Sequence, residues 1–170
     1  MTMVQSKAGP SGPGPTIEGW WKGLDRDRGG RAALRRCGSV LEVQLLPVFH
    51  SLAQRLPHTA EPGPLADRLA AVAAVLSHVE ENVTGKSFAE LLATTNDSGR
   101  VLLSDLRFRR LVAVESPDEL LGQMRRAVQI TGRSAPVISF ANDLVYWGDN
   151  VRKRWAFAYY GAAPVEKKQG

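Results

Sequence analysis

The sequence has one cysteine, Cys37, and three histidines, His50, His58 and His78. A single cysteine excludes an internal disulfide and any zinc site built on cysteine, and its setting reads as a small buried hydrophobe on a helix. Histidine is too sparse for a metal constellation. Only His78 and Glu81 fall three apart, and a helical di-metal site needs a second such pair on a facing helix, which no other segment supplies. Long apolar runs are missing as well. None approaches the roughly 20 residues of a membrane span, and the first residues lack the apolar stretch of a secretory signal, so the expected location is cytoplasmic, with no membrane partner. The one Gly-Lys step, Gly85-Lys86 before Ser87, lacks the upstream glycine of a phosphate-cradling loop. Asp143 and Asp149 stand too isolated for acid-base chemistry. These absences predict a protein with no catalytic residues, no cofactor and no metal site.

Sustained period-two alternation is also lacking, which argues against a sheet. What recurs instead is helical spacing. Ile17, Trp20, Trp21 and Leu24 fall at i, i+3, i+4, i+7, with Thr16 as the expected cap and the tryptophan pair expected in the core. A helix opening near Pro47 turns Phe49, Leu52 and Leu56 inward. The segment from Pro57 to Pro64 reads as a loop and the one internal hinge. A long alanine-rich helix is expected from about Leu65 to Val83, and Ser87-Phe88-Ala89-Glu90 is a capping box. Further helices are expected over Ser139 to Trp147 and Asn150 to Tyr160, the last capped by Asp149. The fold class is therefore all-α, a compact bundle of about eight helices, as one unit or two packed sub-bundles. Residues 1–15, rich in glycine and proline, are expected to form a disordered leader, 16–161 a single helical domain and 162–170 a flexible tail.

The chain is also rich in cations. Lys and Arg number 22 against 17 for Asp and Glu, a net charge of +5, and the excess is mostly arginine. A pI near 9.7 favours polyanions, of which nucleic acid is the commonest. The arginines gather on amphipathic helices. Over Ser104 to Val114, Phe108, Leu111 and Val112 make one apolar face while Arg109 and Arg110 project from the other side and Arg107 sits at the boundary. The next helix starts at Ser116-Pro117-Asp118-Glu119, a capping box with proline in the first turn, and ends at Gly132. Leu120, Leu121, Met124, Ala127 and Val128 form its core face; Arg126 points away from it and Arg125 lies on the flank. Arg35 and Arg36 form a third basic pair. Arg152, Lys153 and Arg154 crowd the first turns of the last helix, where cations oppose the helix dipole, so helix stability does not explain them. The expected nucleic-acid-binding set is Arg35, Arg36, Arg107, Arg109, Arg110, Arg125, Arg126, Arg152, Lys153 and Arg154. The competing expectation is a scaffold subunit whose basic faces meet acidic protein surfaces.

An ordered set of residues resembles a known family. Trp20-Trp21 with Leu24-Asp25, then Gly30, Ala33, Leu34-Arg35-Arg36 and Pro47-Val48-Phe49, are similar to the N-terminal half of CasB, the small subunit of the type I-E CRISPR Cascade surveillance complex. Lys86-Ser87-Phe88, Leu91-Leu92-Ala93, Ser98-Gly99-Arg100, Arg109-Arg110-Leu111, Leu121 through Arg125-Arg126, and Leu144-Val145-Tyr146-Trp147-Gly148-Asp149 follow in that family's order. The resemblance covers about Trp20 to Tyr160. It implies an all-helical, non-catalytic subunit with a second copy of itself, other Cascade subunits, guide RNA and target DNA as partners. Its implied role is antiviral: to stabilise the complex and the displaced non-target strand through basic surface residues that contact phosphates without reading sequence.

Overall fold

Side-chain caps from Asp27, Ser39, Ser87, Ser104 and Ser116 set five of the described helix starts, and proline in the first turn marks several of the others. The computed structural model describes residues 11–164. It consists of α1 (Gly14–Gly23), a 3₁₀ turn at Leu24–Arg26, α2 (Arg28–Arg36), α3 (Val40–Gln44), α4 (Pro47–Ala53), α5 (Pro64–Leu76), α6 (Phe88–Leu92), α7 (Asp105–Val112), α8 (Pro117–Ile130), α9 (Val137–Val145) and α10 (Asp149–Ala162). Both expected capping boxes close. Ser116 Oγ accepts from the Glu119 N–H at 3.1 Å and Ser87 Oγ from the Glu90 N–H at 3.2 Å, while each glutamate carboxylate reaches back to its serine N–H.

Helix α5 is the hub. Every residue from Leu69 to Leu76 is buried, and α8, α3 and α9 pack against it. A helix apolar on all sides belongs in an interior, and Ala70, Ala71, Ala73 and Ala74 keep its surface thin enough for several neighbours to approach. The buried residues form one continuous cluster from Ile17 to Tyr159. All four indole N–H groups find acceptors: Trp20 on Val48 O, Trp21 on Val79 O, Trp147 on Val114 O and Trp155 on Asp143 Oδ2. The tryptophan pair thus fills the core as expected, with each polar edge satisfied.

The all-α expectation holds, and the differences from it are local. α5 stops at Leu76 rather than continuing to Val83, because the chain beyond the turn at residues 77–80 pairs with a distant segment. There β1 (Glu81–Asn82) lies parallel to β2 (Ser134–Ala135), and the Glu80 N–H donates to Arg133 O at 2.8 Å. α3 is an extra helix, five residues long with only Val43 buried, too short to display periodicity. Cys37 is buried but extended, at the C-cap of α2 rather than within it. α9 opens two residues earlier than Ser139, after Pro136. Asp149 is the first residue of α10 and not its cap, a position taken by Gly148.

Ordered helix also begins before Thr16. Gly14 and Pro15 form the first turn of α1 behind Pro13, so Thr16 caps nothing. Asn142 of α9 clamps this end: its Oδ1 accepts from the Gly14 N–H at 2.7 Å and its Nδ2 donates to Ser11 O at 2.9 Å. Of the expected leader, residues 1–10 lie outside the described residues, as do residues 165–170 of the expected tail. The loop expected as a hinge is fastened by Thr59, which is buried and donates through Oγ1 to Ala53 O at 2.6 Å.

Candidate nucleic-acid interface

Helix α7 starts at Ser104, whose Oγ accepts from the Arg107 N–H, and it buries Phe108 and Leu111. This orientation turns Arg107 and Arg110, three residues apart, toward one flank. On α8, burial of Met124, Ala127 and Val128 turns Gln123, Arg126 and Ile130, at i, i+3 and i+7, toward the same space. The two helices bound a groove of about 410 Å³ with Leu103, Leu111, Ala127 and Ile130 on its apolar floor and Arg107, Arg110, Arg126 and Gln123 at its rim. Among the described residues, none of the three arginine side chains makes a hydrogen bond or an ion pair, and all three are exposed. Three unneutralised guanidiniums around one groove repel one another in the free chain. An anion with several charges would relieve that repulsion and use the planar donor forks that suit phosphate oxygens.

The other expected cations divide by what holds them. Arg35 donates to Ser77 O at 2.7 Å and to Glu80 Oε2 at 3.3 Å. Arg125, half-buried on the flank of α8, donates to Cys37 O at 2.8 Å. Arg152 donates to Val114 O at 2.7 Å and Asp149 Oδ1 at 3.0 Å, and its guanidinium lies 5.7 Å from the centroid of the Trp147 ring. Arg154 pairs with Asp143 at 2.9 Å. These four tie helices to each other or to loops. Arg109 pairs with Asp105 one turn away at 3.3 Å, but both side chains are well exposed and the pair is correspondingly weak. Arg36 and Lys153 are exposed and unpartnered among the described residues, on α2 and α10 respectively. The structure therefore gathers Arg107, Arg110 and Arg126 at one groove, leaves Arg36, Arg109 and Lys153 on the surface elsewhere, and assigns internal bonds to the rest. Gln123 and Ile130 are groove residues that sequence reading missed, although their spacing around Arg126 carries the signal.

Two buried groups show how the basic surface acts inward. Burial, reinforced by Arg125, Arg35 and Arg133, lowers the His78 pKa from 6.5 to about 4, so the imidazole is neutral at pH 7. Its Nδ1 faces the Gln129 amide at 3.4 Å and its Nε2 has no partner. Burial also raises the Cys37 thiol, with Glu42 adding to the effect and Arg36 and Arg125 opposing it. Among the described residues no three His, Cys, Asp or Glu side chains come together in a metal-holding group, and no helix is long and apolar enough to cross a membrane.

Fold and site together define a class: an all-helical bundle with an arginine-rimmed groove on its surface. The chain belongs to the family of the CRISPR-associated protein Cse2, whose model matches residues 30–160. Two solved structures share the fold. One is a chain of E. coli Cascade bound to a PAM-containing double-stranded DNA target, 21% identical, with a TM-score of 0.66 over 87% of this chain and 93% of that one. The other is CasB from Thermus thermophilus, 22% identical, with a TM-score of 0.65 over 89% of this chain and 100% of that one. No curated protein sequence matches the chain. The resemblance to CasB in the sequence is thereby borne out.

Proposed function

We propose that the chain is the non-catalytic small subunit of a type I-E Cascade complex and that its α7–α8 groove holds the phosphate backbone of the displaced non-target strand. The observation that carries this reading is the convergence of Arg107, Arg110 and Arg126, all without an internal partner among the described residues, around one groove. Packing does not require them there, since the core faces of α7 and α8 are complete without them. Once guide pairing has opened the duplex, cations along the extruded strand lower its tendency to re-pair, while sequence is read elsewhere by base pairing. The strand lies along exposed guanidiniums at the groove rim, where the contacts are charge-assisted and open to screening by salt. Family membership and the fold shared with a Cascade chain support the setting, in which a second copy and other subunits are partners.

The test is equilibrium binding of the full chain to a fluorescent single-stranded DNA across a series of salt concentrations. The reading expects affinity to fall with salt, by a log–log slope of about 0.7 for each phosphate engaged. A protein that leaves the strand unbound at low salt while binding acidic protein surfaces of partner subunits would instead be a scaffold subunit.

A further inference from the structure

Phe157 is the most exposed large apolar side chain among the described residues, at 82%, and it lies on α10 away from every core contact. Lys153, Phe157 and Tyr160 fall at i, i+4 and i+7, so they share one face of that helix. The Tyr160 ring is 47% exposed yet held in place. It stands edge-on to Phe108 and to Tyr159, with centroids 5.8 Å and 5.0 Å away, and its hydroxyl donates to Asp105 Oδ1. That bond to Asp105, with burial and the carboxylate charge behind it, pushes the Tyr160 pKa up to about 12, so the ring stays neutral. Asp105 also pairs with Arg109 at 3.3 Å, Asp143 is engaged by Arg154 and Trp155, and Asp149, at the start of α10, pairs with Arg152 at 3.0 Å. The negative groups around the aromatic pair are thus already neutralised, and the free charge beside it is the cation Lys153.

This face lies across α7 from the groove. Asp105, which accepts from the Tyr160 hydroxyl, is on α7, and Arg107 and Arg110 line the groove from the opposite flank of the same helix. A strand whose phosphates follow Arg126, Arg107 and Arg110 over α7 arrives at two aromatic rings flanked by Lys153. We infer that Phe157 and Tyr160 form a base-stacking platform for an unpaired nucleic-acid strand, extending the groove onto α10. This rests on the reading of the groove as a phosphate track. Stacking on an aromatic face accepts any base, which suits a site that must hold a strand of arbitrary sequence, and cations beside the ring neutralise the phosphates between stacked bases.

The experiment compares the full chain with its Phe157→Ala and Phe157→Trp variants on two single strands of equal length, an oligothymidylate and an abasic strand with the same phosphates. Phe157→Ala should weaken thymidylate binding roughly 5- to 100-fold, leave abasic affinity and the salt slope unchanged, and be rescued by Phe157→Trp. Equal losses on both strands, or no loss on either, overturn the platform while a salt-dependent wild type keeps the groove. A wild type that binds neither strand overturns the groove and the platform with it. A Phe157→Ala variant that changes the sedimentation coefficient of the free protein but not its strand affinity makes this face a contact between copies and likewise overturns the platform.

Discussion

Arg152 and Lys153 are adjacent cations at the start of α10, and the structure predicts opposite consequences for losing them. Arg152 is only 23% exposed at its side chain and bridges α10 to the loop after α7 through Val114 O, at 2.7 Å. Replacing it with methionine keeps the aliphatic stem and removes the guanidinium. The hydrogen bond from a charged donor contributes about 1.5–3 kcal/mol. The Asp149 pair is worth at most about 1 kcal/mol because that carboxylate is 84% exposed. The Trp147 contact adds about 0.5–1 kcal/mol. Two features offset part of the loss: Val114 O keeps its bond from Trp147 Nε1 at 2.9 Å, and the unpartnered, buried Arg152 Nε disappears. The expected net cost of Arg152→Met is therefore about 2–3 kcal/mol. For a chain of this size, that lowers Tm by roughly 5–10 °C, read by circular dichroism at the helical band. Lys153→Met, with no partner to lose, should stay within about 0.5 kcal/mol of wild type. An Arg152→Met protein of unchanged Tm that had lost single-strand binding would refute the division into structural and ligand-facing cations.

Two further perturbations probe the frame that positions the groove. The neutral imidazole of folded His78 takes a proton only near pH 4, whereas the unfolded chain takes it up near 6.5, so the unfolded state holds more protons between these values. Stability should then fall as pH drops through that window, by on the order of 3 kcal/mol from this residue, and urea midpoints of His78→Asn should lose that part of the pH dependence. A variant with the same acid sensitivity as wild type would count against the buried neutral histidine. At Gly14, an added Cβ would sit 2.6 Å from the backbone oxygen of Ile138, so Gly14→Ala should push α1 from α9 and cost about 1–3 kcal/mol in chemical unfolding. No measurable cost would mean that the Asn142 clamp on this end is dispensable.

Much of the fold was legible because its signals are local. The Ser116 capping box opens α8, and the apolar spacing of α7 and α8 fixes which faces turn inward. Arg107 and Arg110 therefore stand out from the sequence alone as surplus to packing. What was hidden is which arginines already have partners. The acceptors for Arg35, Arg125 and Arg152 are the backbone carbonyls of Ser77, Cys37 and Val114, the second of them 88 residues away in sequence. A carbonyl carries no residue-type signature, so no side-chain pattern announces such a bond. The early end of α5 was hidden for the same reason, since it depends on Arg133 O receiving the Glu80 N–H. α3 is a different case. Ser39 and Glu42 have the spacing of a helix start, and Ser39 Oγ does accept from the Glu42 N–H at 3.2 Å, but the helix that follows is too short to confirm the signal by periodicity.

The most direct test of the groove is the salt dependence of single-strand binding by a protein carrying Arg107→Ala, Arg110→Ala and Arg126→Ala together, beside one carrying Arg35→Ala as a control for a tied cation. The account predicts that the groove variant folds normally, because its lost side chains are exposed and unpartnered, and that its log–log salt slope shrinks by about 2 while the control keeps the wild-type slope. A groove variant with the wild-type slope and affinity would contradict the account.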